Sequence, residues 1–452
     1  MRLAVDLGAT SGRVVRGEVR DERLHMEELR RFPNAPVELD GRLVWDIEHL
    51  LDEVGSGIDA AGEVASIGIT GWGVDFALLR PDGSLAAPPR AYRDALTEGI
   101  VPRLYERIAP DRLYELTGIQ VMEINTICQL LALRLAEAPE LEEADLFMLL
   151  PDYLLYRLGA EPVAERTNAS TTQLLRAGGG WEPELLAAVG VDPAILPPLV
   201  PAGAKVGRLG RADLLSVATH DTAAAVMAVP FEPGVRAAFI SCGTWSLVGL
   251  ELAAPLLSAK AQAYNLSNEE GFGGTTRLLR NVTGLWLVDR CLEAWGLEPA
   301  SGMALAEAAG PAGRGFNVDD PALQHSADTP AAIAQLCGVD ANDRGTLLRA
   351  VYEGIARRYR VVLDELREVT GQGVERIHLV GGGAKNRLLC QLAADALELP
   401  VHAGPVEASA IGALATQLIA AGELGGLKDA RRLVRASFEV RVYEPSKVTV
   451  GG

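Results

Sequence analysis

The chain has 452 residues, enough for two to three domains, and its 48% hydrophobic and 23% charged content is that of an ordinary globular protein. Its 42 Lys and Arg against 60 Asp and Glu leave a net charge of −18, which argues against nucleic acid or an anionic membrane surface as a partner. Five scattered cysteines without a Cys-x-x-Cys pair and six dispersed histidines fit neither a disulfide framework nor a zinc site. With no leader pattern and no apolar run near the ~20 residues that span a bilayer, the expected setting is the cytoplasm.

In chain order, LAVDLG, GRVVRGEV and LHMEELRRF predict a strand meander, and WDIEHLLDEVGSGIDAA the helix after it. VASIGITG and VDFALL read as two more strands that end at a Pro-Asp-Gly turn. From about residue 95 to 190 the pattern is helical, and the Pro- and Gly-rich stretch 191–212 reads as a surface connection. LLSVATHDTAAAVMAV returns to a strand feeding a helix. RAAFISCGTWSLVGL at 236–250 then repeats the opening design of apolar strand, Gly-Thr turn and second strand. A strand RLLRNV, a helix after it, a long amphipathic helix at about 343–370 and the strand-to-helix turn RIHLVGGGAKN complete the second half. The duplication predicts two related lobes, residues 1–232 and 233–440, followed by a tail at 441–452.

The opening turn is suited to phosphate. Thr10, Ser11 and the backbone N–H groups of the Gly-rich turn are neutral donors, and Arg13 can neutralise charge. Asp6 is placed either to hold a hydrated divalent cation or simply to satisfy turn amides. This is not the Walker loop, because no Gly-Lys-Ser/Thr follows. Thr244 is the matching donor of the second Gly-Thr turn. Gly381, Gly382 and Gly383 allow a flat group to approach the backbone, and Asn386 either caps the next helix or meets a base. Asp221, within His220-Asp221-Thr222, is either a helix cap or a general base for a substrate hydroxyl. Trp72 and Asp75 offer an apolar face beside a carboxylate, which suits a sugar and equally suits a core. Asn281 is open to hydroxyls or to capping a helix.

The ordered set VDLGATSGR, VWDI (44–47), WGVDF (72–76), AYRD (91–94), PDY (151–153), TNASTTQL (167–174), THDT (219–222), SCGTWSL (241–247), NVTGLWL (281–287), VGGGAKN (380–386) and AGPVEAS (403–409) resembles the FGGY family of carbohydrate kinases. The resemblance implies an α/β, two-lobed actin/hexokinase/Hsp70-like ATPase fold. Each lobe would carry a mixed five-stranded sheet flanked by helices, with ATP and sugar meeting in the interlobe cleft. It further implies Asp221 as the catalytic base and Asp6 as the acid that orients Mg2+. Ala9, Thr10, Ser11, Gly12, Arg13, Thr244, Asp289, Gly382 and Gly383 would lie on the ATP side. Gly73, Asp75, His220, Asp221, Thr222 and Asn281 would lie on the sugar side. WGVDF, AYRD and TNASTTQL point to L-rhamnulose, phosphorylated at its 1-hydroxyl. Another ketose (L-fuculose, L-ribulose or D-xylulose) and a non-enzymatic, ATP-gated member of the superfamily are the alternatives. The chain departs from the resemblance at Thr70-Gly71, where Asp-Thr is expected, at Asp289 in place of Gln, and at Ala413 in place of Asn. Monomer and homodimer are equally compatible with this reading.

Overall fold

The computed structural model describes residues 1–313, 315–324 and 326–446, so residues 447–452 of the expected tail lie outside it. The chain divides into two compact units, each assembled from three segments. The first comprises Met1–Ala228, Glu251–Leu278 and Ala408–Ser437; the second comprises Val229–Leu250, Leu279–Glu407 and the segment from Phe438 on.

In the first unit, β1 (Arg2–Leu7), β2 (Ser11–Arg20), β3 (Arg23–Pro33), β4 (Ser66–Gly71), β5 (Ala204–Leu209) and β6 (Ala212–Ser216) form one sheet in the order β5-β6-β4-β1-β2-β3. Strand β1 is buried throughout, as expected for a largely apolar strand with neighbours on both sides, and its burial takes in Arg2 and Asp6 as well. The helix Ile47–Ala61 follows the predicted period: Ile47, Leu50, Val54 and Ala61 are buried, and the Asp46 carboxylate accepts the His49 N–H at 3.0 Å. A second covering helix, Ala408–Ala420, comes from far along the chain. Its buried Gln417 donates to the Leu3 carbonyl at 3.0 Å and accepts the Ser66 hydroxyl at 2.6 Å, fixing the helix across β1 and β4. The helical stretch after residue 95 packs around its own core, which includes Leu104, Leu113, Ile127, Leu131, Phe147 and Leu185. Burial of each such side chain is worth about 1.5–3 kcal/mol.

The second unit's sheet includes, in order, β8 (Trp245–Leu252), β7 (Ala237–Cys242), β9 (Arg376–Val380), β10 (Val401–Ala403) and β11 (Arg441–Tyr443). The long helix Arg344–Thr370 is capped by Asp343 and packs against the helices Pro299–Ala309 and Arg387–Leu397. The pairing along this series is antiparallel, parallel, parallel, antiparallel. The series β2-β1-β4-β6-β5 of the first unit has the same four pairings in the same order. The repeat seen in sequence between residues 3–17 and 236–250 is therefore a repeat of a five-strand scheme.

Two expectations need correction. The first unit's sheet has six strands rather than five, because β3 extends the opening hairpin beyond the shared scheme, and the sheet that contains β7 to β11 has seven. The segment 191–212 is not merely a connection, since β5 pairs antiparallel with β6 across the turn at Gly210. Its glycines and prolines hide a short edge strand in which Val206 alone is buried.

Candidate functional site

In the first unit the hairpin between β1 and β2 is held from beneath. The Gly8 amide donates to the Ser11 carbonyl at 2.9 Å, the Asn34 amide to the Thr10 carbonyl at 3.0 Å, and Asn34 Nδ2 to the Gly8 carbonyl at 2.6 Å. The carbonyls of Gly8, Thr10 and Ser11 are thereby occupied around the tip that the sequence marks for phosphate. Asn34, which the sequence reading did not single out, ties the tip to the chain after β3. Register places Asp6 opposite Arg13, with Arg13 Nε 3.2 Å from Asp6 Oδ2. Burial raises the Asp6 carboxyl above its ordinary range, and the nearby Arg13 and Arg31 charges oppose that rise.

His220-Asp221-Thr222 lies at the entry to the helix Asp221–Met227. Asp221 is the first helical residue and His220 the N-cap, with no side-chain capping bond from His220. The capping alternative for Asp221 thus gives way to a carboxylate with 29% of its side chain exposed. The dense protein around it pushes its carboxyl up to about 7; the Asp6 charge adds to the rise, while hydrogen bonds from Thr222 and the Arg277 charge oppose it. Thr222 Oγ1 donates to Asp221 Oδ1 at 3.2 Å.

The approach to Asp221 is fixed by buried acids and amides. Glu165 accepts the Thr219 N–H at 2.9 Å and the Thr167 N–H at 2.9 Å, which joins the THDT loop to the TNASTTQL segment. Thr70 Oγ1 donates to the Ala218 carbonyl at 2.9 Å and the Gly71 N–H to the Thr219 carbonyl at 2.9 Å. The departure at Thr70-Gly71 is therefore spent on joining β4 to this loop. Gly73 is required by proximity: a Cβ there would stand 2.9 Å from Thr171 Oγ1 and 3.4 Å from both Asn168 Oδ1 and His220 Nε2.

Asp75 has no accessible surface. Its Oδ2 accepts the indole N–H groups of Trp45 at 2.6 Å and Trp72 at 2.9 Å and the Tyr92 amide at 3.2 Å, while Oδ1 accepts Gln129 Nε2 at 3.1 Å. Burial pushes its carboxyl up to about 6, against the pull of these four donors. The two indoles stack with centroids 4.2 Å apart. The VWDI, WGVDF and AYRD motifs therefore meet at one buried carboxylate. Val74 beside it adopts φ of +69°, an unusual state for a β-branched residue, and the Thr126 hydroxyl holds its carbonyl at 2.7 Å.

In the second unit, the Gly243-Thr244 turn feeds the helix Trp286–Trp295: the Leu285 amide donates to the Gly243 carbonyl at 3.0 Å and the Trp286 amide to the Thr244 carbonyl at 3.2 Å. Asp289 lies in the first turn of that helix, and burial pushes its carboxyl up to about 6, with Glu293 adding to the rise. The glycine run after β9 packs directly on the end of β7. A Cβ on Gly383 would lie 2.2 Å from Cys242 Sγ, so no larger residue fits. Asn386 takes the capping alternative, accepting the Leu389 N–H at 2.9 Å. Asn281 lies on the strand Thr276–Thr283 that leads to the same helix.

Among the described residues no group of three or more His, Cys, Asp or Glu is placed to hold a metal ion, and no helix is long and apolar enough to cross a membrane. All five cysteines are buried and free.

Comparison with known proteins bears on the whole chain. Residues 1–216 match the N-terminal domain, and residues 238–421 the C-terminal domain, of the FGGY family of carbohydrate kinases. The chain is 40% identical to a rhamnulokinase of Bacteroides thetaiotaomicron, over 98% of this chain and 95% of that protein. It is 37% identical to a rhamnulokinase of Enterococcus faecalis (99% and 94%) and 36% identical to one of Bacillus subtilis (98% and 95%). In fold it is similar to the xylulose kinase of Lactobacillus acidophilus, with a TM-score of 0.79 at 17% identity over 99% of this chain and 94% of that one. It is also similar to the ADP-bound glycerol kinase of Plasmodium falciparum, with a TM-score of 0.78 at 17% identity over 98% and 94%. The fold is thus the two-domain actin/hexokinase-like one, and the chain belongs to the FGGY family of carbohydrate kinases.

Proposed function

We propose that the chain transfers the γ-phosphoryl group of ATP to the 1-hydroxyl of L-rhamnulose. The observation that carries the reading is Asp221: a partly accessible carboxylate, pushed up to about 7, on a loop held by Glu165, Thr70 and Gly71. A base of that strength matches the proton of a hydroxyl as it attacks phosphorus near neutral pH. The choice of sugar is supported by three relatives at 36–40% identity over nearly the whole chain, each named rhamnulokinase.

In this reading Asp221 takes the proton from the sugar hydroxyl, with Gly73, His220, Thr222 and Asn281 on the sugar side. Asp75 acts from behind, holding Trp45, Trp72 and Tyr92 in place. Ala9, Thr10, Ser11, Gly12 and Arg13 serve the phosphates from the first unit. Thr244, Asp289, Gly382 and Gly383 serve the nucleotide from the second. The two units of the structure and the division near residue 232 are read as the family's two lobes. Phosphoryl transfer needs mostly positioning and charge stabilisation, which such turns supply.

The donor set fits Mg2+ of a particular kind. The Asp6 charge adds to the rise of the Asp221 carboxyl, and no group of three or more His, Cys, Asp or Glu is placed to hold a metal among the described residues. A single buried carboxylate, Asp6, suits an ion that keeps most of its waters and takes phosphate oxygens. When bound, Mg2+ would neutralise charge on the β- and γ-phosphates.

A panel of ketoses at equal concentration, assayed by ADP release, tests the reading. The highest kcat/KM is expected for L-rhamnulose. A clear preference for L-fuculose, L-ribulose or D-xylulose would replace the sugar and keep the class, and slow ATP turnover indifferent to every sugar would overturn the kinase reading.

A further inference from the structure

Behind His220 sits Arg277, a fully buried guanidinium on the strand Thr276–Thr283, within the first unit. Its Nη2 lies 3.0 Å from His220 Nδ1 and 3.1 Å from the Glu270 carbonyl, and its Nε donates to the same carbonyl at 3.2 Å. Its Nη1 lies 3.0 Å from Glu269 Oε2, a charge contact without hydrogen-bond alignment. A guanidinium has five N–H donors and no acceptor. An imidazole nitrogen facing it at hydrogen-bond distance must therefore be the one without a proton.

The opposite ring nitrogen looks toward the reacting groups. His220 Nε2 is 3.5 Å from Asp221 Oδ1 and faces the notch left by the missing side chain of Gly73. Thr171 Oγ1 and Asn168 Oδ1 border the same notch, and Asn168 Nδ2 is buried without a partner. The notch thus gathers donors and acceptors suited to one hydroxyl.

We propose that Arg277 is a positioning residue that fixes the His220 proton on Nε2, making His220 a hydrogen-bond donor to a substrate hydroxyl and barring it from acting as the base. This rests on the kinase reading above and deepens it. A histidine beside a carboxylate is otherwise an obvious candidate for proton abstraction. Here the nitrogen that faces the site already carries its proton, so abstraction falls to Asp221. Burial and the Arg277 charge both lower the His220 pKa well below its ordinary value, which keeps the ring neutral.

The competing arrangement is also visible. Glu269 Oε2 lies 3.6 Å from His220 Nδ1, too far for a hydrogen bond while Arg277 stands between their charges. Without Arg277 that buried carboxylate would be uncompensated, and an Nδ1–H or a full imidazolium would become its natural partner. Arg277 thus decides the protonation pattern of a ring that contacts the site, without touching substrate itself.

The test is the 15N ring spectrum of the full chain labelled at histidine, with His220 assigned by the signals lost in His220→Gln. The expected result for the unmodified chain, between pH 6 and 8, is a protonated Nε2 and an unprotonated Nδ1. Arg277→Lys, still donor-only, and Glu269→Gln should keep that pattern; Arg277→Gln, which can accept as well as donate, should move the proton to Nδ1 or produce the cation. Arg277→Gln should also lower kcat/KM for the ketose about tenfold or more, with the KM for ATP unchanged within about twofold. A proton on Nδ1 in the unmodified chain, an imidazolium at pH 7, or an Arg277→Gln variant with pattern and kcat/KM intact overturns the proposal. If Arg277→Gln does not fold, the spectra of the unmodified chain and of Arg277→Lys still decide it. A chain with the expected ring pattern that phosphorylates no ketose would instead sink the kinase reading and leave the role of Arg277 in setting the proton standing.

Discussion

Asp221 and Asp75 are both raised carboxylates, but for opposite ends. Asp221 retains solvent access and, as the proposed base, would act only when ionised, so kcat/KM should rise with pH through about 7 and level off above it. Replacing it with Asn should lower kcat about 10²–10⁴-fold. The same shift has a stability consequence. A carboxyl whose folded pKa exceeds its unfolded value holds its proton more tightly when folded, so the site destabilises the fold progressively as pH rises from about 4 through about 7. Asp221→Asn should accordingly raise Tm at pH 8, and the gain should vanish near pH 4; a thermal melt series checks both. Asp75, with no exposure and four donors, is a structural charge. Asp75→Asn sets an amide donor among N–H groups that need acceptors and should cost about 2–4 kcal/mol in urea unfolding at pH 7. The sequence made both residues conspicuous through WGVDF and THDT. It could not separate the open carboxylate from the enclosed one, because the difference lies in Trp45, Tyr92 and Gln129, which are distant along the chain. Arg277 was readable only as a charge inside the apolar strand RLLRNV, a sign that gains meaning once His220 is seen beside it.

At the scale of elements, the two Gly-Thr hairpins were legible because a strand, a tight turn and a returning strand leave a local signature. Their supports were not. Asn34 reaches Gly8 across 26 residues, and the floor under Gly383 is Cys242, well over a hundred residues away. The contact with Cys242 gives a sharp expectation: Gly383→Ala places a methyl 2.2 Å from Cys242 Sγ and should destabilise by about 1–3 kcal/mol. Cys242→Gly in the same chain should recover part of that loss, and denaturant midpoints of the single and double variants measure the recovery. The strand β5 was missed because Gly207 and Gly210 resemble loop punctuation, although β6 supplies the hydrogen bonds that make a strand of it.

For the whole molecule, the duplication of the opening hairpin was foreseen from two short motifs, whereas the five-strand pairing scheme around each copy and the segmentation of the units were not. Hydrophobic periodicity reports which face of a helix is buried, not which sheet it covers. Ala408–Ala420 reads simply as a helix in the second half, but it belongs to the first unit, with Gln417 wholly buried against Leu3 and Ser66. A fragment of residues 1–228 should therefore lack cooperative unfolding and bind a hydrophobic dye, despite containing all six strands of its sheet; a sharp, dye-free melt would refute this. The late helix also imposes an order on biosynthesis. Translation at about 5–20 residues per second leaves roughly 10–40 s between completion of β6 and arrival of the helix that covers β1 and β4. Throughout that interval an apolar sheet face waits on the ribosome for its partner, so yield in cells should depend on holdase chaperones more than the stability of the finished enzyme suggests.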